Sequence, residues 1–220
     1  MKRKIKISFC ISAALLAAFA LWTALTVFVD VGCIGPRASS VGFSSLNGFV
    51  REAVGVRMHL YTLTDWLGLV PVFVAFYFAL LGLIEFIRRG SVFKVDPSLL
   101  ALGGFYIVLF AAYLLFEAFP VNYRPVLIDG FLEASYPSST TLLVMGVMPT
   151  ADIALSRRVR SKQLRICLKF VIYPFVIFMV IARLLSGVHW LTDIIGGILL
   201  SSALVLMYYS VTILINEKSF

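Results

Sequence analysis

The sequence predicts an all-α membrane protein that crosses the bilayer six times and keeps both termini in the cytoplasm. Three observations lead to this prediction. Hydrophobic residues make up 61% of the 220 residues and charged residues only 14%, whereas a soluble domain holds roughly 25% charged residues. The mean hydropathy is +1.00. Six separate apolar stretches can each supply the helical run of about 20 residues that a bilayer crossing needs.

The apolar stretches are the predicted transmembrane helices. They lie at residues 8–29, 65–87, 98–119, 139–155, 165–186 and 190–214. The first follows a basic N-terminus and has features of a secretory signal, but its apolar run continues to Val29, which favours an uncleaved helix. The fourth is the shortest and contains Pro149. Its neighbours nevertheless require a crossing there.

Basic residues set the predicted orientation. Fourteen of the 19 Lys and Arg residues fall at one end of the six helices. These are Lys2, Arg3, Lys4, Lys6, Arg88, Arg89, Lys94, Arg157, Arg158, Arg160, Lys162, Arg165, Lys169 and Lys218. The other five are Arg37, Arg51, Arg57, Arg124 and Arg183. Because cytoplasmic loops are enriched in Lys and Arg, we expect these five on the non-cytoplasmic face of the cell membrane.

Residues 1–220 are predicted to form a single membrane domain. The outer segment, residues 30–64, could carry an amphipathic helix on the membrane surface. A second outer loop covers residues 120–138, and the third outer link is only a few residues long. The formal net charge of +8 indicates lipid headgroups rather than nucleic acid as partners. The spacing of the three cysteines predicts neither a metal site nor a disulfide framework.

Polar residues collect in three clusters at the predicted outer face. They are Glu117 and Arg124 in "EAFPVNYRP"; Ser138, Ser139 and Thr140 in "YPSSTT"; and Arg183, His189 and Asp193 in "ARLLSGVHWLTD". His189 and Asp193 are four residues apart and share a helix face. The carboxylate can therefore fix one imidazole nitrogen and leave the other free as base or nucleophile.

The remaining members suit a phosphoryl group. Arginine forks bind two oxygens each, and the N-terminus of a helix attracts phosphate. Each residue taken singly also has an ordinary interpretation. Arg183 could anchor a helix end, His189 could be an interfacial residue, the Ser138–Thr140 run could be a helix cap, and Arg124 could be a solvated loop residue. Their placement together on one face favours an anion site.

These clusters resemble the three motifs of the type-2 phosphatidic acid phosphatase family of membrane lipid phosphatases. The family motifs are Lys-x6-Arg-Pro, Pro-Ser-x-His and Ser-Arg-x5-His-x3-Asp. They correspond here to Glu117 through Arg124-Pro125, to "PSST", and to "ARLLSGVHWLTD". The third is the most specific, and the number of helices and the motif order agree as well. The resemblance implies a metal-independent enzyme without a cofactor.

The family assigns a role to each matched residue. His189 would be the nucleophile that forms a phosphohistidine, and Asp193 would orient it. The phosphoryl oxygens would be held by Arg124, Arg183, Ser138 and nearby backbone amides of Ser139 and Thr140. Three positions depart from the family: its lysine is Glu117 here, its serine is Ala182, and its second-motif histidine, which usually protonates the leaving group, is Thr140.

The missing histidine bears on the substrate. An alkoxide leaving group is comparable to hydroxide, whose parent water has a pKa of about 15.7, and general acid help is typically worth about 10²–10⁴-fold. A phosphate leaving group has a second pKa of about 6 and needs less help. The sequence therefore favours a polyprenyl diphosphate over phosphatidic acid.

Glu117 has two possible roles. It could pair with Arg124 or Arg183 as a structural strut, which we favour, or it could be a carboxylic acid that replaces the lost histidine as proton donor. His59, the second histidine, could approach the site, but a surface-facing position is favoured.

The predicted function is hydrolysis of a lipid phosphate or diphosphate. Two alternatives remain open at this stage. A phosphotransferase of the same fold would pass the phosphate to another lipid rather than to water. A non-catalytic lipid-phosphate-binding protein would explain the losses at Glu117 and Thr140, although it has no need for an oriented histidine.

Overall fold

The computed structural model describes residues 2–218 of the chain and shows a helical bundle. Met1, Ser219 and Phe220, which belong to the predicted domain, lie outside the described residues. The α-helices are α1 (Lys2–Phe28), α2 (Ser44–Val54), α3 (Met58–Leu67), α4 (Leu69–Arg89), α5 (Pro97–Ala118), α6 (Ser139–Arg158), α7 (Lys162–Leu185) and α8 (Leu191–Lys218). Two short 3-10 turns lie at Pro36–Ala38 and Val92–Lys94.

Six helical segments in this part of the chain are long and apolar enough to cross a membrane. They are Arg3–Phe28, Met58–Arg89, Pro97–Ala118, Ser139–Arg158, Lys162–Leu185 and Leu191–Glu217. The six predicted crossings are therefore confirmed, and so is the all-α fold. The second crossing starts earlier than predicted. It consists of α3 and α4 together, and it begins at Met58 rather than at residue 65.

Helix α6 lies inside the bundle and packs against α4, α5, α7 and α8. In the most apolar stretch of α6, 56% of the residues are buried, whereas the figure for the corresponding stretch of α7 is 17%. A helix that faces protein rather than lipid does not need a uniformly apolar surface, which explains why this stretch is the least apolar in the sequence. The helix continues through Pro149 to Arg158, three residues beyond the predicted end.

Helix α1 packs along α8. Ser12 Oγ donates to the Ala203 carbonyl (2.8 Å), and Ser210 Oγ donates to Ser8 Oγ (2.8 Å). Hydroxyl side chains that form hydrogen bonds across a helix interface hold membrane helices together where apolar burial offers little preference over lipid.

One end of the bundle, which we call the site end, gathers three connections. They are the segment between α1 and α3, the loop between α5 and α6, and the turn between α7 and α8. The α5–α6 loop doubles back on itself, because the Arg124 amide donates to the Glu133 carbonyl (3.0 Å) and the Ser135 amide to the Asn122 carbonyl (2.9 Å).

The α1–α3 segment is anchored on the α7–α8 turn. The Arg57 amide donates to the Ser186 carbonyl (2.9 Å), and Gly187 packs against Gly55. Gly187 has φ +69°, and a Cβ there would lie 2.0 Å from the Gly55 carbonyl oxygen. Only glycine fits this conformation and this contact. The close approach fixes the turn that carries His189.

Within that segment, the first α-helix is α2, which ends at Val54. Asn47 on one face is 1% exposed, whereas Leu46 and Phe49 are 40% and 70% exposed. The residues that follow Arg57 belong to α3 and enter the second crossing. The predicted amphipathic stretch is therefore two helices with separate roles.

Candidate active site

Four of the predicted site residues converge at the site end. Arg124 comes from the α5–α6 loop, Arg183 from the last turn of α7, His189 from the α7–α8 turn and Asp193 from the first turn of α8. Their exposed fractions are 8%, 1%, 4% and 0%. Buried charged groups are rare unless they are paired or functional, so this cluster is the candidate active site.

His189 lies between a cation and a carboxylate. Its Nε2 is 3.3 Å from Arg124 Nη1, and its Nδ1 is 3.6 Å from Asp193 Oδ2. Burial, together with the positive charges of Arg124 and Arg183, holds the pKa of His189 well below its ordinary value. The ring is therefore neutral at physiological pH. With a proton on the Nδ1 that faces Asp193, Nε2 carries the lone pair and accepts from Arg124 Nη1.

Asp193 is held on both carboxylate oxygens. Its Oδ2 accepts from the Trp190 amide (2.9 Å) and its Oδ1 from Asn122 Nδ2 (3.2 Å). The predicted hydrogen bond between His189 and Asp193 is not formed in this structure, because the 3.6 Å separation of the two atoms is too long for one. The other partners keep the carboxylate facing the ring.

Arg183 is held by α3, a helix that motif spacing does not connect with the site. Its Nη1 donates to Thr64 Oγ1 (3.0 Å), its Nη2 is 3.7 Å from Asp65 Oδ1, and its guanidinium lies 4.8 Å from the Tyr61 ring centre. These three α3 residues occupy one helix face, at spacings of three and four. That spacing is the one sequence signal that could have revealed them.

The guanidinium of Arg124 lies over the same Tyr61 ring as that of Arg183, at 5.9 Å from the ring centre. Its Nε is 2.9 Å from Glu133 Oε2. Tyr61 therefore lies against both guanidinium groups, where its electron-rich face stabilises positive charge. Each arginine also has an acidic neighbour, Glu133 beside Arg124 and Asp65 beside Arg183.

Among the described residues, Glu117 does not form the ion pair with Arg124 or Arg183 that the sequence favoured. The ion pairs that we expected for it are made by Glu133 and Asp65, and the described residues include no ion pair of Glu117. Glu117 is exposed and lines a cavity of about 200 Å³ that Arg124, Glu133 and Ser139 also border. His59 is exposed, as expected from the sequence.

The three hydroxyl residues at the start of α6 separate in the structure. Ser138 is fully buried and caps α6, accepting from the Thr141 amide (3.5 Å). Its own amide donates to the Asp193 carbonyl (3.0 Å), which ties α6 to α8. Ser139 lines the cavity beside Arg124. Thr140 instead lines an apolar groove between α4, α5 and α6.

That groove has a volume of about 560 Å³ and shares Tyr113, Ser139 and Leu142 with the cavity beside Arg124. Its other walls are mainly apolar. The two openings are therefore adjacent, one polar and one apolar.

Comparisons with known proteins agree with this architecture. The solved structure of the first transmembrane PAP2-type phosphatidylglycerolphosphate phosphatase from Bacillus subtilis matches with a TM-score of 0.58 and 19% sequence identity, over 94% of this chain and 96% of that chain. A search of curated protein sequences finds no significant match. The family model of the PAP2 superfamily matches residues 69–215, a region that contains Arg124, Arg183, His189 and Asp193. The chain belongs to the PAP2 superfamily.

Proposed function

We propose that the protein is a membrane lipid phosphatase that works through a phosphohistidine on His189. The observation that carries the proposal is the geometry of one neutral imidazole: Nε2 faces Arg124 at 3.3 Å, and Asp193 lies behind Nδ1 at 3.6 Å. The similarity to a solved structure described as a phosphatidylglycerolphosphate phosphatase supports a lipid phosphate as substrate.

The reaction has two steps. In the first, Nε2 attacks phosphorus, an N–P bond forms, and the P–O bond to the leaving group breaks. Asp193 accepts the hydrogen bond of Nδ1–H as positive charge develops on the ring, and the guanidinium groups of Arg124 and Arg183 stabilise charge on the phosphoryl oxygens. In the second, water attacks the phosphohistidine, so that phosphate leaves and the neutral ring returns.

The apolar groove between α4, α5 and α6 is suited to the hydrocarbon tail. It opens beside Ser139, at the border of the polar cavity. A lipid could therefore enter sideways from the membrane and present its phosphate to Arg124 without leaving the bilayer.

The site end would face the outside of the cell membrane, because the predicted basic cluster lies at the opposite end of the bundle. Two of the three exposed cysteines allow a direct test. A membrane-impermeant maleimide added to intact cells should label Cys33, in the α1–α2 connection, and spare Cys167, near the start of α7. The reverse pattern would put the site in the cytoplasm.

The substrate would be a polyprenyl diphosphate rather than phosphatidic acid. Thr140, at the family's proton-donor position, cannot act as a general acid near neutral pH. We expect purified protein, in excess EDTA, to release phosphate faster from a polyprenyl diphosphate than from phosphatidate, because a phosphate leaving group needs less protonation. Thr140→His should raise the monoester rate about 10-fold or more and change the diphosphate rate less.

Two outcomes would contradict this substrate assignment. One is faster release from phosphatidate by the native protein. The other is an equal gain on both substrates in Thr140→His. Inhibition by EDTA would separately contradict the metal-independent chemistry.

A further inference from the structure

A closed ring of hydrogen bonds lies beside Asp193 and joins unspecified positions of the first and third motifs to a residue outside all three motifs. Its side chains are Asn47 from α2, Asn122 from the α5–α6 loop and Thr192 from α8. They are 1%, 1% and 0% exposed. Buried amide groups are costly unless they are bonded, so the arrangement of these side chains is strongly constrained.

The ring connects three separate parts of the chain. Asn122 Nδ2 donates to Thr192 Oγ1 (3.4 Å), and Asn47 Nδ2 donates to the same oxygen (3.0 Å). The Thr192 amide returns a bond to Asn47 Oδ1 (3.3 Å). Thr192 is the residue before Asp193, so the start of α8 is fixed from two sides.

Gly42 closes the ring. Its carbonyl accepts from Asn47 Nδ2 (2.7 Å), and its amide donates to Asn122 Oδ1 (3.4 Å). A Cβ at this position would lie 1.6 Å from the Thr26 carbonyl oxygen, so only glycine allows the approach. Both amide groups of the ring therefore have partners for their oxygen and for their nitrogen.

Asn122 has one further contact, and it is to the site. Its Nδ2 donates to Asp193 Oδ1 at 3.2 Å, which leaves Oδ2 for the Trp190 amide and for the face of His189. Without this donor, the carboxylate can rotate and lose its alignment with Nδ1. Asn122 does not border the cavity beside Arg124, so its influence on a bound phosphate is indirect.

We propose that Asn122 is a positioning residue that sets the orientation of Asp193 against His189, and that Asn47 supports it from the α1–α3 segment. The proposal rests on the proposed function. It also extends the site beyond the matched family region, which begins at residue 69, because Asn47 precedes it.

The proposed role of Asn122 predicts different effects on kcat and on KM. Orientation of Asp193 matters as charge develops on the ring, whereas the guanidinium groups of Arg124 and Arg183 bind the phosphate in the ground state. Loss of Asn122 should therefore lower kcat with little change in KM, since only the transition state loses stabilisation. A loss of folded protein would also lower apparent kcat without changing KM, so kcat is expressed per folded protein and the coupling to Asp193 is measured separately.

The test is a double-mutant cycle between Asn122→Asp and Asp193→Asn, measured on a polyprenyl diphosphate and on phosphatidate. Asn122→Asp keeps the side-chain shape but replaces the donor by a carboxylate that repels Asp193. We expect kcat to fall about 10–10²-fold, the size of effect that small misplacements produce. In the Asp193→Asn background the same change should cost less than about 2-fold, because the coupled partner is already absent.

Three controls complete the test. Asn216→Asp makes the same chemical change at an exposed position near the far end of α8, and it should leave kcat unchanged. Asn122→Ala removes the donor without adding charge, and it should lower kcat while KM and inhibition by inorganic phosphate stay within about 2-fold. Thermal unfolding in detergent identifies a variant that fails to fold. If one of the two Asn122 variants fails to fold, the kcat of the other tests the proposal.

The inference is overturned by native kcat in Asn122→Ala, or by an equal loss from Asn122→Asp in both backgrounds. Hydrolysis of neither lipid class by the native protein would instead overturn the proposed function. The two failures are therefore distinguishable.

Discussion

His189→Ala is expected to abolish phosphate release. Nε2 of this ring is the atom that would form the bond to phosphorus, and the described residues place no second imidazole beside Arg124. Removal of a covalent nucleophile leaves only the contribution of binding and charge stabilisation, so we expect a loss of at least about 10³-fold in kcat. The measurement is phosphate release by purified protein on the preferred lipid.

The chain offers a matched control in its other histidine. His59 is exposed on α3, and His59→Ala should retain nearly full activity. The folded state of both variants can be compared by thermal unfolding in detergent. If His189→Ala turned over substrate at the native rate, His189 would not be the nucleophile.

Asp193→Asn is expected to produce the second large loss, on the order of 10³–10⁴-fold in kcat. A carboxylate-to-amide change beside a catalytic histidine preserves shape but favours the wrong tautomer, and it costs about 10⁴-fold in triad enzymes. Here Oδ2 is 3.6 Å from His189 Nδ1, and an amide cannot stabilise positive charge on the ring to the same degree. KM should change little, because the arginines remain.

Asp129→Asn is the matched control for that change. Asp129 is exposed in the α5–α6 loop and has a positive φ of 49°, a conformation that asparagine tolerates. Its activity should equal that of the native protein. A fall of less than about 10-fold in Asp193→Asn would mean that the imidazole is oriented by other groups.

Much of the fold follows from hydropathy. Each crossing is a long apolar run, and the lipid solvent requires a helix for such a run, so the number and order of the helices could be predicted. The first and last residues of the helices were harder to predict. The second crossing begins at Met58 because α3 packs against α7, and no local pattern separates "MHLYTLTDWL" from a surface helix. The length of α6 depends on its burial, which hydropathy alone underestimates.

Some residues of the candidate site could also be predicted from the sequence, and others could not. The convergence of Arg124, Arg183, His189 and Asp193 could be predicted because alternating crossings put their three segments at the same end. The supporting residues could not. Tyr61, Thr64 and Asp65 reach Arg183 only through the packing of α3 on α7, and Asn47 reaches Thr192 across 145 positions in sequence.

Glu117 and Ser138 show the limit of motif matching. Alignment with the family placed Glu117 at the position of the motif lysine, and a charge argument then favoured an ion pair with Arg124 or Arg183. The hairpin of the α5–α6 loop brings Glu133 to Arg124 instead, through the bond between the Arg124 amide and the Glu133 carbonyl. Ser138 caps α6, as its ordinary interpretation allowed. The roles of Ser138, Ser139 and Thr140 toward phosphate stay predictions.

The central claim is that phosphorus becomes bonded to His189, and rapid quenching of the reaction with labelled substrate tests it most directly. We expect an alkali-stable, acid-labile phosphoryl group on the peptide that contains His189, formed no more slowly than product and absent in His189→Ala. Steady turnover with no label on that peptide, or with the label on another residue, would contradict the account.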